Sequence, residues 1–174
     1  MCIRDRYHGI ATSLHGTGGA WMITDESTDT QRLQSAIKGS LDRKVCNTLN
    51  TLCILDSQVN DFLPIIQDAL KQAGEKLKQS YKVHIDSKSK SYFPDHLFSQ
   101  QTLVTRPTGL VEESQFEIIQ RDELGTEWEW EQTPEITIVV TQSVTESIQL
   151  CNTYSPQFVA SLLTTDMQLS LIHI

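Results

Sequence analysis

A chain of 174 residues with 39% hydrophobic and 21% charged side chains has the make-up of one soluble globular domain. Its 22 Asp and Glu outweigh 14 Lys and Arg, for a net charge of −8, which argues against a nucleic-acid partner because phosphate backbones are held by clustered cations. No apolar run is long enough to cross a bilayer, and the opening lacks the zones of a signal peptide, so no membrane partner is expected.

The two ends read as one artefact. Met1-Cys2-Ile3-Arg4-Asp5-Arg6 can be written ATGTGTATAAGAGACAG plus a purine. The reverse complement, read from its CTG, spells Leu-Ser-Leu-Ile-His and the start of Ile, which is the run Leu169 to Ile174. The string resembles a transposon-insertion adapter, so residues 1–6 and 169–174 are set aside and Tyr7 to Gln168 is expected to be an internal piece of a longer reading frame. Without Cys2 the cysteines are Cys46, Cys53 and Cys151, with no CxxC pair. That pattern fits free thiols in a reducing cytoplasm better than a disulfide framework or a zinc site.

The first predicted element is "AWMIT" from Ala20, a short buried strand. In "DESTDTQRLQSAIKGSL" Ser27, Thr28 or Asp29 can cap a helix that carries Leu33, Ala36 and Ile37 on one face. "NTLCILD" has the apolar density of a central strand, and "SQVNDFLPIIQDALKQAG" places Val59, Phe62, Leu63, Ile66, Leu70 and Ala73 at helical spacing. Gly74 is the expected C-terminal cap of that helix and Pro64 is expected to kink or restart it. Between Glu75 and Leu124 the pattern loosens, and "HIDSKSKSYFPDH" reads as an exposed connection. Order returns with the strand "EITIVV", a helix in "TQSVTESIQLCNTY" with Val144, Ile148 and Cys151 on one face, and the strand "FVASLLT". Alternating strands and helices predict an α/β fold with a largely parallel sheet.

In "DRKVCNTLNTL" Cys46 follows a polar, partly basic approach (Asp42, Arg43, Lys44) at the start of an ordered segment. A thiol beside cations and open backbone N–H groups is the better nucleophile. Cys53, inside "TLCIL", is expected to pack as a small hydrophobe. His8, His84 and His96 have no Cys or acidic neighbours at ligand spacing, so no metal site is expected.

Taken together, "GTGGAWMITDES", "VCNTLNTLCILD" with "FLP" downstream, and "EWEWEQTPEITIVVTQSVTESIQLCNTYSPQFVASLLTTD" resemble the aldehyde dehydrogenase superfamily. More narrowly they resemble the γ-glutamyl phosphate reductase (glutamate-5-semialdehyde dehydrogenase) family, whose nucleophile lies in a Cys-Asn-x-x-x-Thr-Leu setting that Cys46, Asn47, Thr51 and Leu52 match. The resemblance implies a partial catalytic domain of three layers over residues 19–168, preceded over 7–18 by the end of a nucleotide-binding domain or hinge. It also implies a cytoplasmic, NADPH-dependent reduction of γ-glutamyl phosphate to glutamate 5-semialdehyde in proline biosynthesis, by an enzyme that is a homo-oligomer when full length. Another aldehyde dehydrogenase-type oxidoreductase, and a non-catalytic α/β binding or oligomerisation domain, are the alternatives.

In that mechanism Cys46 attacks the acyl phosphate, phosphate leaves, and the thioester is reduced through a thiohemiacetal whose alkoxide needs preorganised donors. The Cys46 N–H would supply one, and Asn47 would position a donor, or else cap a helix. A carboxylate that accepts hydrogen bonds from the nicotinamide ribose falls at Glu129, with Glu127 as the alternative. The same Glu–Trp alternation also fits a strand with one wet face. Hydrolytic members carry a Glu-Leu-Gly-Gly motif where this chain has "LHGTGGA", so His15, or Leu14 in a shifted register, stands where the deacylating Glu would be. That absence favours reduction over hydrolysis, although a His is itself a base near neutral pH. The glycines of "HGTGG" precede a strand and lack dinucleotide-fingerprint spacing, so a tight turn between domains is their expected role. Ala20-Trp21 replaces the family's common Cys-His, and "DRKV" replaces its Arg-Pro.

Overall fold

The computed structural model describes residues 17–169. In chain order the elements are β1 Ala20–Thr24, α1 Thr30–Ser40, β2 Leu49–Leu55, α2 Val59–Lys76, β3 Lys82–Asp86, β4 Gln101–Arg106, β5 Gly109–Ser114, β6 Phe116–Ile119, β7 Glu135–Thr141, α3 Val144–Tyr154 and β8 Ala160–Leu163. Every residue of β1, β2, β3 and β7 is buried, as expected for parallel strands covered on both faces. The order is β6-β3-β7-β2-β1-β8, and all five pairings are parallel.

Side-chain alternation sends Met22, Leu52, Ile54, Ile138 and Val140 to one face, where Leu33 and Ile37 of α1 and Phe62, Ile66 and Leu70 of α2 cover them. Trp21, Ile23, Cys53, Leu55 and Val139 point to the other face, against Val144, Leu150 and Cys151 of α3. The result is the expected three-layer α/β architecture. Asp29 caps α1, accepting from the Arg32 N–H at 2.8 Å. Thr28 is instead buried and donates to the Leu163 carbonyl, tying the end of β1 to β8.

Three expectations are corrected. Gly74 lies inside α2, and the helix is closed by Lys78 at φ 58°, where the Lys78 N–H reaches the Glu75 carbonyl and the Gln79 N–H reaches that of Gly74, each at 2.9 Å. This is a Schellman closure with lysine in the left-handed position. Of the kink or restart expected at Pro64, the restart does not occur, since α2 is one helix from Val59 to Lys76.

The third correction concerns the "HIDSKSKSYFPDH" segment. Its first three residues complete the interior strand β3, with His84 2% and Asp86 0% exposed. Polar side chains hide this strand from a hydrophobicity reading because each has a partner brought in from afar. Lys82 meets Glu113 at 2.5 Å and Glu117 at 2.7 Å, His84 meets Glu135 at 3.2 Å, and Asp86 meets Arg121. Buried charge persists only when paired in this way. The loosened stretch also holds the β4–β5 antiparallel hairpin, turned at Pro107-Thr108 and closed by Gly109 at φ 116°. Arg106 grips Glu113 through two bonds of 2.7 Å and Glu135 through one of 2.6 Å, fastening the hairpin to β7.

Candidate active site

Cys46 stands on the connection between α1 and β2. Leu41 and Leu49 are buried at its two ends, and Val45, Cys46 and Asn47 between them are exposed. The Thr48 N–H bonds the Val45 carbonyl at 3.0 Å, closing a turn with Cys46 and Asn47 at its centre. The Thr48 hydroxyl accepts from the Val45 N–H at 2.8 Å and donates to the Arg43 carbonyl at 2.9 Å. Both Cys46 and Asn47 are exposed at the tip. A strand follows the turn, so Asn47 caps no helix.

The other cysteines are different objects. Cys53 and Cys151 are buried between the sheet and α3, and burial pushes both thiols upward in pKa, Cys53 very strongly. Neither is available as a thiolate near neutral pH.

Two segments close on the Cys46 turn. The Gly19 N–H donates to the Cys46 carbonyl at 2.7 Å. Gly18 is wedged beside it, and a Cβ there would lie 2.7 Å from the Cys46 carbonyl oxygen and 2.6 Å from Glu127 Oε1. Glu127 arrives from the strandless run before β7. Its Oε2 accepts the Gly18 N–H at 2.6 Å and its Oε1 accepts Lys44 Nζ at 2.7 Å. The Lys44 and Glu127 side chains are only 12% and 16% exposed.

The Glu–Trp run is therefore no strand with a wet face. Trp130 is buried in the core, and Trp128 stacks on His84 with centroids 3.6 Å apart and donates from Nε1 to Thr137 at 2.8 Å. Glu129 and Glu131 face solvent. Of the two carboxylates weighed in the sequence, Glu127 is beside Cys46 and Glu129 is on the exposed surface. Leu14, His15 and His8 lie outside the described residues, as does most of the 7–18 segment. No group of His, Cys, Asp and Glu suited to a metal ion occurs among the described residues.

Sequence reasoning passed over Asn50. It sits in a mostly apolar strand and is 4% exposed. A buried side-chain amide demands partners, and that requirement was the available signal. Its Oδ1 accepts the Trp128 N–H at 2.9 Å and its Nδ2 donates to the Thr126 carbonyl at 2.8 Å.

Gly18-Gly19 lead into β1, the Cys46 turn into β2 and Glu127 towards β7, with Asn50 at the start of β2. The site is thus at the amino-terminal edge of the parallel sheet, opposite to the edge where open α/β sheets most often bind ligands. At that edge a cleft of about 470 Å³, lined by Cys151, Ser155, Phe158 and Ala160 among others, opens between α3 and β8.

The architecture has solved counterparts. γ-Glutamyl phosphate reductase from Thermotoga maritima matches it with a TM-score of 0.65, over 88% of this chain and 30% of its own, at 22% identity. The chain has the fold of part of an aldehyde dehydrogenase catalytic domain. Other proteins with this aldehyde dehydrogenase fold are the NADP-dependent glyceraldehyde-3-phosphate dehydrogenase from Bacillus halodurans C-125, complexed with NADP, and an NAD-dependent benzaldehyde dehydrogenase from Corynebacterium glutamicum. The first matches at TM-score 0.53 and 19% identity over 87% of this chain, the second at 0.51 and 14% over 88%. This chain spans between 30% and 36% of the length of these three structures. No protein-family model and no curated protein matches it.

Proposed function

We propose that this chain is part of a cytoplasmic, NADPH-dependent γ-glutamyl phosphate reductase, which makes glutamate 5-semialdehyde for proline biosynthesis and works as a homo-oligomer at full length. The observation that carries the reading is the exposed Cys46 thiol at the tip of a pinned turn, with the Glu127 carboxylate anchored against the same turn. The fold likeness to a γ-glutamyl phosphate reductase supports it.

The Cys46 thiolate forms a C–S bond with the acyl carbon as the C–O bond to phosphate breaks, giving a thioester and free phosphate. The Cys46 N–H, at the centre of the turn, is suited to receive the carbonyl oxygen as negative charge develops there. Asn47, beside Cys46 on the exposed tip, is suited to orient the substrate or the turn. A nicotinamide cofactor supplies the hydride when bound. The residues fit its ribose: Glu127 presents a carboxylate next to Cys46, already accepting two donors, and is preferred here to the exposed Glu129. When reduction is complete the C–S bond breaks and the thiolate is restored.

A second reading, another aldehyde dehydrogenase-type oxidoreductase, is favoured by the likeness to dehydrogenases with different substrates. Assaying an enzyme that carries this segment with phosphate, coenzyme A or water as acyl acceptor separates the two. Turnover of glutamate semialdehyde that requires phosphate supports the reductase; turnover with water or coenzyme A instead supports the second reading.

A further inference from the structure

We infer that Asn50 is a positioning residue that holds Glu127 in place against the Cys46 turn, an inference that rests on the reading of Glu127 as the ribose-binding carboxylate. The amide of Asn50 takes the backbone on both sides of that residue: the Trp128 N–H at 2.9 Å on Oδ1 and the Thr126 carbonyl at 2.8 Å on Nδ2. These are the two backbone groups that flank Glu127. With both engaged, the local backbone cannot rotate without breaking one of these partly buried hydrogen bonds. The Glu127 side chain is then aimed at Gly18 and Lys44.

The segment around Glu127 has no strand ladder of its own to fix it. The Asn50 amide stands in for one, offering a donor and an acceptor as a neighbouring peptide would. Its place on β2 makes the clamp stiff, since β2 is held between β1 and β7. The same strand begins three residues after Cys46, so the nucleophile and the carboxylate are referred to one rigid element.

Gly19 shows what this arrangement requires. Its φ is 104°, and a Cβ there would approach Asn50 Cβ to 3.0 Å and Cγ to 3.1 Å. Of the two glycines, Gly18 makes room for Glu127 and Gly19 for the side chain that positions it. A tight turn between domains does not by itself explain both.

Aspartate, leucine and glutamine would each fail differently. Aspartate keeps an acceptor for the Trp128 N–H but sets an oxygen against the Thr126 carbonyl. Leucine fills similar space and loses both bonds. Glutamine carries the amide one methylene farther out.

The test is a double-mutant cycle in a full-length enzyme that carries this segment. Asn50→Leu is expected to raise the KM for NADPH about tenfold with kcat changed less than about threefold, and Asn50→Asp to fall between it and wild type. In a Glu127→Ala background Asn50→Leu should raise that KM by no more than about twofold, because the residue acts through Glu127. An unchanged KM in both single variants, or a full tenfold effect without Glu127, overturns the inference. Amide hydrogen exchange on the 174-residue chain reads the clamp without any reaction: Asn50→Asp should speed exchange at Gly18 while β7 stays protected, and unchanged protection of Gly18 overturns the inference. A wild-type enzyme with no NADPH-dependent turnover would instead sink the proposed function, and the exchange result would still decide the clamp.

Discussion

Gly18 gives its backbone N–H to Glu127 at 2.6 Å, although 109 residues of chain separate them. The bond joins the entry to β1 with the entry to β7, and the Cys46 turn lies against both. Substituting Gly18 tests how tightly the three are packed. A Cβ at this position would come within 2.7 Å of the Cys46 carbonyl oxygen and 3.0 Å of its Cα, atoms of a closed turn that cannot move as a flexible side chain could. Gly18→Ala is expected to cost about 1–3 kcal/mol, the usual penalty for overpacking, and to change the alkylation rate of Cys46. Urea unfolding and timed alkylation measure the two effects.

Thiol reactivity should divide the cysteines sharply. Iodoacetamide at pH 7.5, followed by peptide mass mapping so that Cys2 is scored separately, is expected to label Cys46 in the native chain. Cys53 and Cys151, buried and with raised pKa, should react only after denaturation. Labelling of Cys53 as fast as Cys46 would mean that the sheet is not closed over it.

The ease with which these features could be read in the sequence follows how locally they are encoded. Strands β1, β2 and β7 are dense in apolar residues, and α1, α2 and α3 repeat them at helical spacing, so each declares itself within its own window. Strand β3 does not, because Lys82, His84 and Asp86 resemble loop residues until Glu113, Glu117, Glu135 and Arg121 are known to sit beside them. Asn50 is hidden for the same reason, since its partners on residues 126 and 128 are about half the chain away. The sequence put Glu129 ahead of Glu127, because a two-residue repeat does not show which carboxylate turns inward. Glu127 departs from the wet-face pattern by turning in to Gly18 and Lys44, while Glu129 and Glu131 stay exposed.

Acid should loosen the hairpin first. The Arg106 fork holds the Glu113 carboxyl down from the ordinary 4.5 to about 2, with Lys82 helping and burial opposing. A carboxylate depressed in the folded state contributes stability that is complete above its unfolded pKa and is lost as pH falls towards the folded one. The contribution of Glu113 is therefore intact above about 4.5 and disappears between there and about 2. Urea midpoints measured from pH 6 to pH 2.5 should fall across this window, and Glu113→Gln should flatten the fall.

Removing the cation from the same network should cost more than removing a surface charge. Arg106→Leu leaves Glu135, 1% exposed, without its 2.6 Å partner. A loss of about 3 kcal/mol is expected, as for a broken buried pair, read from the urea midpoint at pH 7.

One substitution should stabilise. Lys78 holds φ 58° at the end of α2, a conformation that costs a side-chain-bearing residue about 1 kcal/mol or more relative to glycine. Lys78→Gly is expected to recover about 1 kcal/mol in thermal or urea unfolding, while Gly74→Ala, whose Cβ would press on the Ser80 and Gln79 carbonyls, should destabilise.

Replacing Cys46 tests its assignment as the nucleophile. In a full-length enzyme carrying this segment, oxidation of glutamate semialdehyde with NADP and phosphate is measured for wild type and for Cys46→Ala. A fall in kcat of roughly 10³-fold or more is expected, as for loss of a covalent nucleophile, with the fold and cofactor binding retained. Turnover by Cys46→Ala within a few-fold of wild type would contradict it.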